Sequence, residues 1–491
     1  MRGACDLAPF NEVSAAAAAS AATVGIWRAR SGLGGSHTVV TYPPLNALEP
    51  MEGEEPFQID AKSPVHLYFH VAFCEFICAF CHYQRTFTDP RRQAPAVEPY
   101  VEALGREIDR RRDALADAPI QSVYLGGGTP TALDYPTLER LLSHIRRLVD
   151  LRETHFSFET SPKTVVEPDG AAKLALLVSS GARRVSMGVQ TFDETILRQQ
   201  RGHGRAELDA AIEAVLELGI TVNLDLIQDL PLQGAEHIEE DLANIAKIRP
   251  AQVTWYTLRA QKGSTIGKLE GSGTAREAAL FSSIADGKAS VSRRLRIISA
   301  MRELGYRPRP GGRFLRDADR EDIFKSVRNG LAANLLGFGI SSYSHGWGYF
   351  FRNLADRRVS HVISEYISRM RAGRSPVGSL MKLSSLERAA SEMVQAARTF
   401  IPFELLDRDD ATGWAWRTAA ERCVEAGLLG REAHGLRLTE LGLAVEEEVS
   451  SLFYSAPVRE KLASHGEYWA GPEWFDPPAK RAVARIAGAA N

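Results

Sequence analysis

Cysteine is scarce in this chain, and so are long apolar runs and any excess of one charge. Only five cysteines occur in 491 residues, which excludes a scaffold built from disulfides. No stretch approaches the roughly 18 consecutive apolar residues that a membrane helix needs. The 59 basic and 61 acidic residues leave a net charge of −2, so composition favours neither nucleic acid nor a membrane surface as a partner. We expect a cytoplasmic, globular protein that acts on a small molecule.

The sequence divides into four segments with different patterns. Residues 1–60 are rich in Ala, Ser and Pro, and we expect a poorly ordered extension or, alternatively, a short amphipathic helix. Residues 61–350 alternate between strand-like and helix-like periods, residues 351–382 are expected to be a linker, and residues 383–491 are mainly helical. Near their end, a predicted β-hairpin is followed by a helix capped at Thr439, which is typical of a winged-helix-like domain.

Residues 61–350 carry the pattern of an α/β domain. Short β-rich runs are each followed by a helical period, which predicts a parallel sheet with functional residues at the carboxyl ends of its strands. The basic region 262–330, which includes Arg307 and Arg313, is expected to add helices that cover the opening of the folded sheet. The predicted strands are Val65–Val71, Ser122–Leu125, His155–Glu159, Arg184–Val189, Thr221–Ile227 and Gln252–Leu258. The predicted helices are Val97–Ala114, Tyr135–Leu148, Gly170–Ser180, Glu194–Leu218 and Ala235–Lys247.

Three of the five cysteines lie within eight residues, as Cys74, Cys78 and Cys81. Thiolates are the usual ligands of iron–sulfur clusters, and this C-x3-C-x2-C spacing can present three of them to one cluster. A four-iron cubane would then keep one iron without a protein ligand, where a small molecule can bind. Buried free cysteines, or a zinc site completed by His82, are the alternatives.

The cysteine spacing directly after the first predicted strand resembles that of the radical S-adenosylmethionine (SAM) superfamily. Further motifs follow in the order found in its oxygen-independent coproporphyrinogen oxidase-like (HemN-like) branch, and the resemblance runs from about residue 64 to about residue 350. It implies a partial (βα)6 TIM-type barrel, a 4Fe–4S cluster, SAM, an electron donor such as flavodoxin or ferredoxin, and a HemN-like C-terminal domain. The motifs are LYFHVAFC, YLGGGTPT, FETSP, RVSMGVQTFD, NLDLIQDLP and GFGISSYS.

The resemblance also assigns roles to individual residues. The three cysteines of the spacing would hold the cluster, and a further set would bind SAM, of which HemN-like proteins can hold two molecules. Each of these residues has a structural alternative, such as a glycine turn or core packing, and Arg201 lies one position earlier than in the family. The SAM positions are Tyr68, Phe80, Gly127, Gly128, Thr129, Glu159, Gln190, Arg201, Asp225 and Thr257. The candidates for a catalytic base are His203, Tyr343 and His345.

Two departures from the coproporphyrinogen oxidases bear on the reaction. Those enzymes carry a fourth cysteine where this chain has Tyr83, and a Tyr-Gly pair where it has Gln228 and Asp229. Both departures argue against decarboxylation of a porphyrinogen, and the remaining Cys5 and Cys423 are too few to hold a second cluster. The relatives without the fourth cysteine are class C methylases and cyclopropanases, haem-modifying proteins and haem chaperones.

We expect a class C methylase or cyclopropanase, because the long N-terminal extension and the basic insert are unusual for haem chaperones. Such an enzyme cleaves one SAM molecule reductively. It uses the methyl carbon of a second SAM to modify an unsaturated or aromatic acceptor, as in antibiotic biosynthesis, and a companion methyltransferase would fit this scheme. The alternatives are a haem chaperone or haem-modifying protein, and a coproporphyrinogen oxidase.

Overall fold

The computed structural model describes residues 41–53, 55, 63–259, 264–269, 273–274, 284, 287–316, 324, 331, 333–356, 358–471 and 474–475. The predictions for residues 1–40, including Cys5, lie outside this part of the chain. The described residues form two compact units, one of residues 41–284 and 299–392 and the other of residues 287–298 and 393–475. No helix within the described ranges is both long and apolar enough to span a bilayer.

Strands and helices alternate along most of the described chain. In chain order the strands are β1 Glu49–Pro50, β2 Val65–Val71, β3 Phe73–Cys74, β4 Thr86–Phe87, β5 Ile120–Gly127, β6 His155–Thr160, β7 Ala182–Gln190, β8 Thr221–Gln228, β9 Gln252–Thr257, β10 Arg307–Arg309, β11 Arg313–Leu315, β12 Asn334–Phe338, β13 Tyr343–Gly346, β14 Tyr349–Asn353, β15 Val377–Lys382, β16 Phe400–Pro402, β17 Leu429–Glu432 and β18 Gly435–Leu438. The α-helices are α1 Val97–Leu115, α2 Tyr135–Arg146, α3 Pro162–Val165, α4 Gly170–Ser179, α5 Glu194–Arg201, α6 Arg205–Leu216, α7 Ala235–Ile248, α8 Thr265–Leu269, α9 Gly287–Glu303, α10 Val359–Arg371, α11 Ser385–Ala396, α12 Phe403–Leu406, α13 Ala411–Glu425, α14 Glu440–Ala444, α15 Glu446–Ser451 and α16 Ala456–Ser464.

Parallel strands form the centre of the thirteen-stranded sheet of the larger unit, in the order β12, β2, β5, β6, β7, β8 and β9. All the predicted strands are present and pair in chain order, and a helix follows each of them. Antiparallel strands extend the two edges, β13, β14, β15 and β1 beyond β12, and β11 and β10 beyond β9. Because the row of described strands is open at both ends, closure into a (βα)6 barrel stays a prediction.

Alternation along β7 and β8 separates a polar face of the sheet from an apolar one. Met187 is fully buried, whereas Ser186 beside it donates a 2.8 Å hydrogen bond to Asp225. Asn223 donates to the same carboxylate at 2.9 Å and accepts from the Thr254 hydroxyl of β9 at 2.9 Å. The chain therefore builds a hydrogen-bonded polar layer on one face, across three strands whose carboxyl ends are neighbours.

Three segments differ from the sequence predictions. The predicted helix Glu194–Leu218 is divided into α5 and α6, because Gly202 adopts a left-handed φ of 70° and ends α5. The basic segment 262–330, expected to be helical, contains α8 and α9 but also the antiparallel pair β10 and β11, since the positive φ angles of Gly311 and Gly312 permit a tight turn between these strands. Residues 351–382, expected as a linker, hold α10 and β15, and β15 pairs with the otherwise open edge of β14.

The smaller unit contains the hairpin that the sequence predicts. Strands β17 and β18 pair from Leu429 opposite Leu438, and β16 adds a third strand. Thr439 then caps α14, because its hydroxyl accepts a 3.0 Å hydrogen bond from the Gly442 amide. The hairpin and the cap are confirmed, and the winged-helix likeness stays a prediction.

Candidate functional site

The three closely spaced cysteines lie on one loop that follows β2. Cys74 ends β3, which pairs in parallel with β4 on the far side of the loop. Arg85 folds the loop back on itself, because its guanidinium donates to the carbonyl oxygens of Tyr83 at 2.9 Å and Cys78 at 3.0 Å. Cys74 and Cys78 are buried and Cys81 is half-buried, so the thiols line a recess instead of the outer surface.

Burial favours the protonated thiol at two of these cysteines, Cys74 and Cys81, in the metal-free chain. Desolvation, with the nearby Glu75 carboxylate, raises the pKa of Cys74 well above its usual range. Desolvation also raises the pKa of Cys81, although Arg85 opposes this effect. Metal binding would displace these protons, since a coordinating thiol is deprotonated. Across the described residues, no three His, Cys, Asp or Glu side chains lie close enough together to bind a single metal ion. A four-iron cluster needs a different spacing, because each thiolate binds its own iron and the ligands are further apart.

The glycine segment at the end of β5 packs directly on the cysteine loop. The amide of Gly128 donates to the Val71 carbonyl at 2.7 Å, and the amide of Thr129 donates to the Phe73 carbonyl at 2.7 Å. A Cβ atom at position 128 would overlap the Phe73 carbonyl oxygen. Gly127 has a φ of 109°, which side chains rarely tolerate, so glycine is required at both positions.

Glu159 sits near the end of β6, against this glycine segment. Its carboxylate accepts a 2.8 Å hydrogen bond from the Tyr124 hydroxyl and a 3.1 Å bond from the Gly127 amide. Both bonds fix the direction of the carboxylate at the carboxyl end of the sheet. An oriented carboxylate beside a backbone that a ligand can approach closely is suited to bind an ammonium group.

His70 connects the strand before the cysteine loop to the segment after it. Its Nε2 lies 2.7 Å from the Gln84 carbonyl, which can only accept, so Nε2 carries the proton. Its Nδ1 therefore accepts from the Tyr68 hydroxyl at 3.0 Å. Burial lowers the pKa of His70 to about 4, and the ring is neutral at pH 7. The Tyr68 ring stacks on Tyr124 with centroids 6.2 Å apart, which places it beside the glycine segment and Glu159.

Three more of the predicted SAM positions lie on the next strands of the sheet, β7, β8 and β9. Gln190 ends β7 with a left-handed φ of 73° and is buried. Asp225 on β8 is held by the polar layer described above, and Thr257 ends β9. Phe80 packs against an apolar cluster that includes Ile196, so core packing accounts for its contacts.

Arg201, the remaining SAM position, lies against the cysteine loop. Its Nη1 donates a 2.9 Å hydrogen bond to the Sγ atom of Cys78. Glu75, between the first two cysteines, is buried and accepts from the Ser161 hydroxyl. Sequence reasoning missed Glu75 and Arg85 as parts of the site. The available signal was a pair of charged residues inside and just after the cysteine spacing.

The candidates for a catalytic base lie in two neighbourhoods. Tyr343 packs against the cluster of Tyr124, Phe324 and Leu335. His345 on the same strand stacks on Phe350 with centroids 6.2 Å apart. His203 is buried near Arg201, and burial together with this arginine lowers its pKa. The described contacts do not bring these three side chains together.

The comparison with known families bears on the segment that carries this site. The family profile of the radical SAM superfamily matches residues 68–245, which include the cysteine loop, the glycine segment and Glu159. Residues 68–245 are therefore a radical SAM domain.

Curated relatives of the radical SAM domain carry haem-related names. The haem chaperone HemW of Bacillus subtilis is 30% identical over 197 residues, which cover 39% of this chain and 49% of that protein. HemW of Escherichia coli is 29% identical over 207 residues, 42% and 53% of the two chains. The oxygen-independent coproporphyrinogen III oxidase of Salmonella typhimurium is 30% identical over 201 residues, 40% and 42% of the two chains. This chain spans about half the length of the HemW relatives it matches.

A solved structure extends the likeness in fold beyond the radical SAM domain. The coproporphyrinogen III oxidase HemN of Escherichia coli superposes with a TM-score of 0.70 and 20% sequence identity, over 85% of this chain and 96% of that one. At this identity the likeness shows the fold alone. The sequence relatives of the radical SAM domain are HemN-like proteins as well. The comparisons do not support the expected closeness to class C methylases and cyclopropanases.

The radical SAM domain implies a 4Fe–4S cluster and SAM, and the residues fit both. The three cysteines would supply three thiolates to a cluster of four irons, so one iron would keep an open position for SAM. The fixed Glu159 carboxylate and the bare backbone at Gly127 and Gly128 stand at the carboxyl ends of the adjacent strands. These groups match an ammonium and a closely approaching amino-acid portion of SAM.

Proposed function

We propose that this chain cleaves SAM reductively at a 4Fe–4S cluster held by Cys74, Cys78 and Cys81, and that it binds haem or a related tetrapyrrole. A reduced cluster held by these cysteines would supply the one electron needed to split the C5′–S bond of SAM into methionine and a 5′-deoxyadenosyl radical, which can take a hydrogen atom from a substrate. The observation that carries SAM cleavage is the contact between the glycine segment and the cysteine loop. Through Glu159, this contact would hold the amino-acid end of SAM beside the open iron.

The residues around this contact position SAM and do little chemistry themselves. Glu159 would pair with the ammonium group, and Tyr68, held by His70, would close one side of the site. Alignment of the sulfonium with the cluster is the protein's main contribution, because well-oriented reactants avoid a large entropic barrier.

The tetrapyrrole part of the proposal rests on the relatives and on one substitution. The curated relatives described above are named haem chaperones and coproporphyrinogen oxidases. Tyr83 replaces the fourth cysteine of the latter, which argues against decarboxylation of a porphyrinogen and favours binding or modification of a haem-type ligand.

A second candidate is C-methylation or cyclopropanation of an unsaturated acceptor, with a second SAM as the carbon donor. The specific observation in its favour is the pair Gln190 and Asp225. Gln190 is buried in a left-handed conformation. Asp225 on the adjacent strand β8 accepts hydrogen bonds from Ser186 of β7 and Asn223 of β8. Side chains fixed at neighbouring strands of the sheet could hold the ribose and amino-acid parts of a second SAM.

The first experiment tests whether the protein binds the cluster and cleaves SAM. The protein is reconstituted anaerobically with iron and sulfide, reduced with dithionite and given SAM, and 5′-deoxyadenosine and methionine are quantified. We expect Cys78→Ala to lose the cluster's visible absorption and all 5′-deoxyadenosine. Cys423→Ala is the matched control, because Cys423 is also buried but lies in the other unit. Retention of the full cluster absorption by Cys78→Ala would contradict the ligand assignment.

Ligand and reaction are tested next. Titration with haem should shift its Soret band with a saturable one-to-one stoichiometry, and the absence of any saturable shift would remove the tetrapyrrole proposal. Methyl-deuterated SAM separates the second candidate, because deuterium should then appear in 5′-deoxyadenosine when an acceptor is present. If deuterium stays out of 5′-deoxyadenosine with an acceptor that is being methylated, the two-SAM route is wrong.

A further inference from the structure

We propose that Arg201 is a positioning residue of the cluster, a counter-charge that donates a hydrogen bond to Cys78 and thereby raises the cluster's reduction potential. This role differs from the SAM contact that the sequence suggests for Arg201. It also goes beyond the proposed function, because it applies whichever substrate the enzyme takes.

The end of α5 is built to reach the cysteine loop. Arg201 is the last residue of that helix, and Gly202 follows it with a left-handed φ of 70°. A Cβ atom on Gly202 would lie 2.6 Å from the ring of Phe76, which stands inside the cysteine spacing. Glycine therefore permits both the turn and the close approach. The helix end delivers the Arg201 guanidinium to Cys78, with Nη1 2.9 Å from Sγ.

The charges around Arg201 hold it in this place. A guanidinium is not deprotonated in proteins, so Arg201 is a cation, and it lies within the electrostatic reach of the Glu75 carboxylate. Part of the side chain reaches solvent, while its Nε atom is enclosed. In the described part of the chain, that Nε and the enclosed Oε2 of Glu75 have no hydrogen-bond partner. The described protein atoms therefore leave part of the hydrogen-bonding capacity of Arg201 and Glu75 unused.

A cation at this position has a defined effect on a cluster. Three thiolates on a 4Fe–4S core of charge +2 give a net charge of −1, and one-electron reduction makes it −2. A nearby positive charge stabilises the more negative state more strongly, and hydrogen bonds to cluster sulfurs act in the same direction. Arg85 supplies a second positive charge on the Cys81 side of the loop. Removal of the Arg201 charge should therefore make the cluster harder to reduce.

The experiment compares variants at two arginines of α5. Arg198 lies on the same helix, with two-thirds of its side chain exposed and paired with Glu194, so Arg198→Gln and Arg198→Lys are matched controls. Each holoprotein is titrated by spectroelectrochemistry without SAM or substrate, followed by the cluster's absorption and its electron paramagnetic resonance signal. We expect Arg201→Gln to lower the reduced-to-oxidised ratio at a fixed potential by at least about tenfold, which is ~59 mV for one electron. Arg201→Lys keeps the positive charge but loses the planar guanidinium donor. Its reduction potential should therefore lie between that of Arg201→Gln and that of the wild type.

Each outcome decides the proposal. A potential for Arg201→Gln equal to that of Arg198→Gln, with weaker SAM binding by calorimetry, would overturn it and return Arg201 to the SAM site. If Arg201→Gln does not retain a cluster, Arg201→Lys decides instead. A potential below that of Arg198→Lys supports the proposal, and an equal potential rejects it. Because no SAM cleavage is measured, failure here is distinct from failure of the proposed function.

Discussion

Replacement of Gly128 with alanine tests how closely the glycine segment must approach the cysteine loop. The added Cβ would overlap the carbonyl oxygen of Phe73 and lie 2.9 Å from that of Val71. Since ordinary C···O contacts are about 3.3–3.6 Å, the segment has to retreat by roughly 1 Å. Both obstacles are backbone atoms of a buried strand and its extension, so a side-chain rotation cannot relieve the overlap.

The retreat breaks the contact that the proposed function depends on. The bonds from Gly128 to Val71 and from Thr129 to Phe73 are both 2.7 Å long and would stretch beyond hydrogen-bond range. Each such bond contributes about 0.5–1.5 kcal/mol, and each buried group left unsatisfied adds to the loss, so we expect the free energy of unfolding to fall by about 2–4 kcal/mol. Misplacement of bound SAM by roughly 1 Å should slow its cleavage by about 100-fold.

Three measurements check this prediction. Anaerobic denaturant unfolding gives the stability, calorimetry gives the Kd for SAM, and 5′-deoxyadenosine formation gives the rate. Gly430→Ala is the control, because its added Cβ would have no neighbour closer than 3.8 Å. A Gly128→Ala protein with the stability, SAM affinity and cleavage rate of Gly430→Ala would refute the reasoning.

Three further predictions follow from single contacts. Tyr68→Phe removes one hydrogen bond, to His70, and should raise the Kd for SAM by about two- to tenfold. His70→Phe removes the bonds to both Tyr68 and Gln84 and should raise this Kd further. Equal effects of the two variants would show that the bond from His70 to Gln84 does not support SAM binding. Burial raises the pKa of Asp241 to about 8, so the folded chain holds a proton that the unfolded chain releases near pH 4, and stability should fall as pH rises from about 4 to about 8. Asp241→Asn should flatten this slope in urea unfolding at pH 5 and pH 8, and an unchanged slope would assign it to other groups. Thr439→Ala removes the cap of α14 and should lower the free energy of unfolding by about 1 kcal/mol, and unchanged thermal unfolding would argue against the cap.

The strands of the parallel sheet were predictable because their local pattern already determines them. Val65–Val71, for example, is a β-rich run with the same bounds in sequence and structure. Helix Glu194–Leu218 was predicted without its break, because the helical period continues across Gly202 and only the left-handed φ interrupts it. Strand β12 was not predicted as a member of the sheet. Its short run contains Gly337, and its strand character depends on pairing with β2.

Within the site, the motifs indicated which residues matter but not which atoms they touch. The spacing of Cys74, Cys78 and Cys81 suggested them as cluster ligands, and the position of Glu159 at a strand end suggested a ligand contact, and both stay predictions. The hydrogen bond from Arg201 to Cys78 could not be foreseen, because it depends on how a helix end packs on a loop far away in sequence. The same holds for the bond between Ser161 and Glu75.

The place of β2 between β5 and β12 has a consequence for the maturation of the protein. Val65 pairs with Ile120 on one side and with Asn334 on the other, so one edge of β2 gains its partner only after most of the larger unit has been synthesised. Pairings between residues so distant in sequence form slowly, since a long loop must close first. The cysteine loop directly follows this strand. We therefore expect the cluster to be inserted only after β12 has paired with β2. A nascent chain that ends before Asn334 would therefore carry all three cluster cysteines and still be a poor acceptor of iron and sulfide.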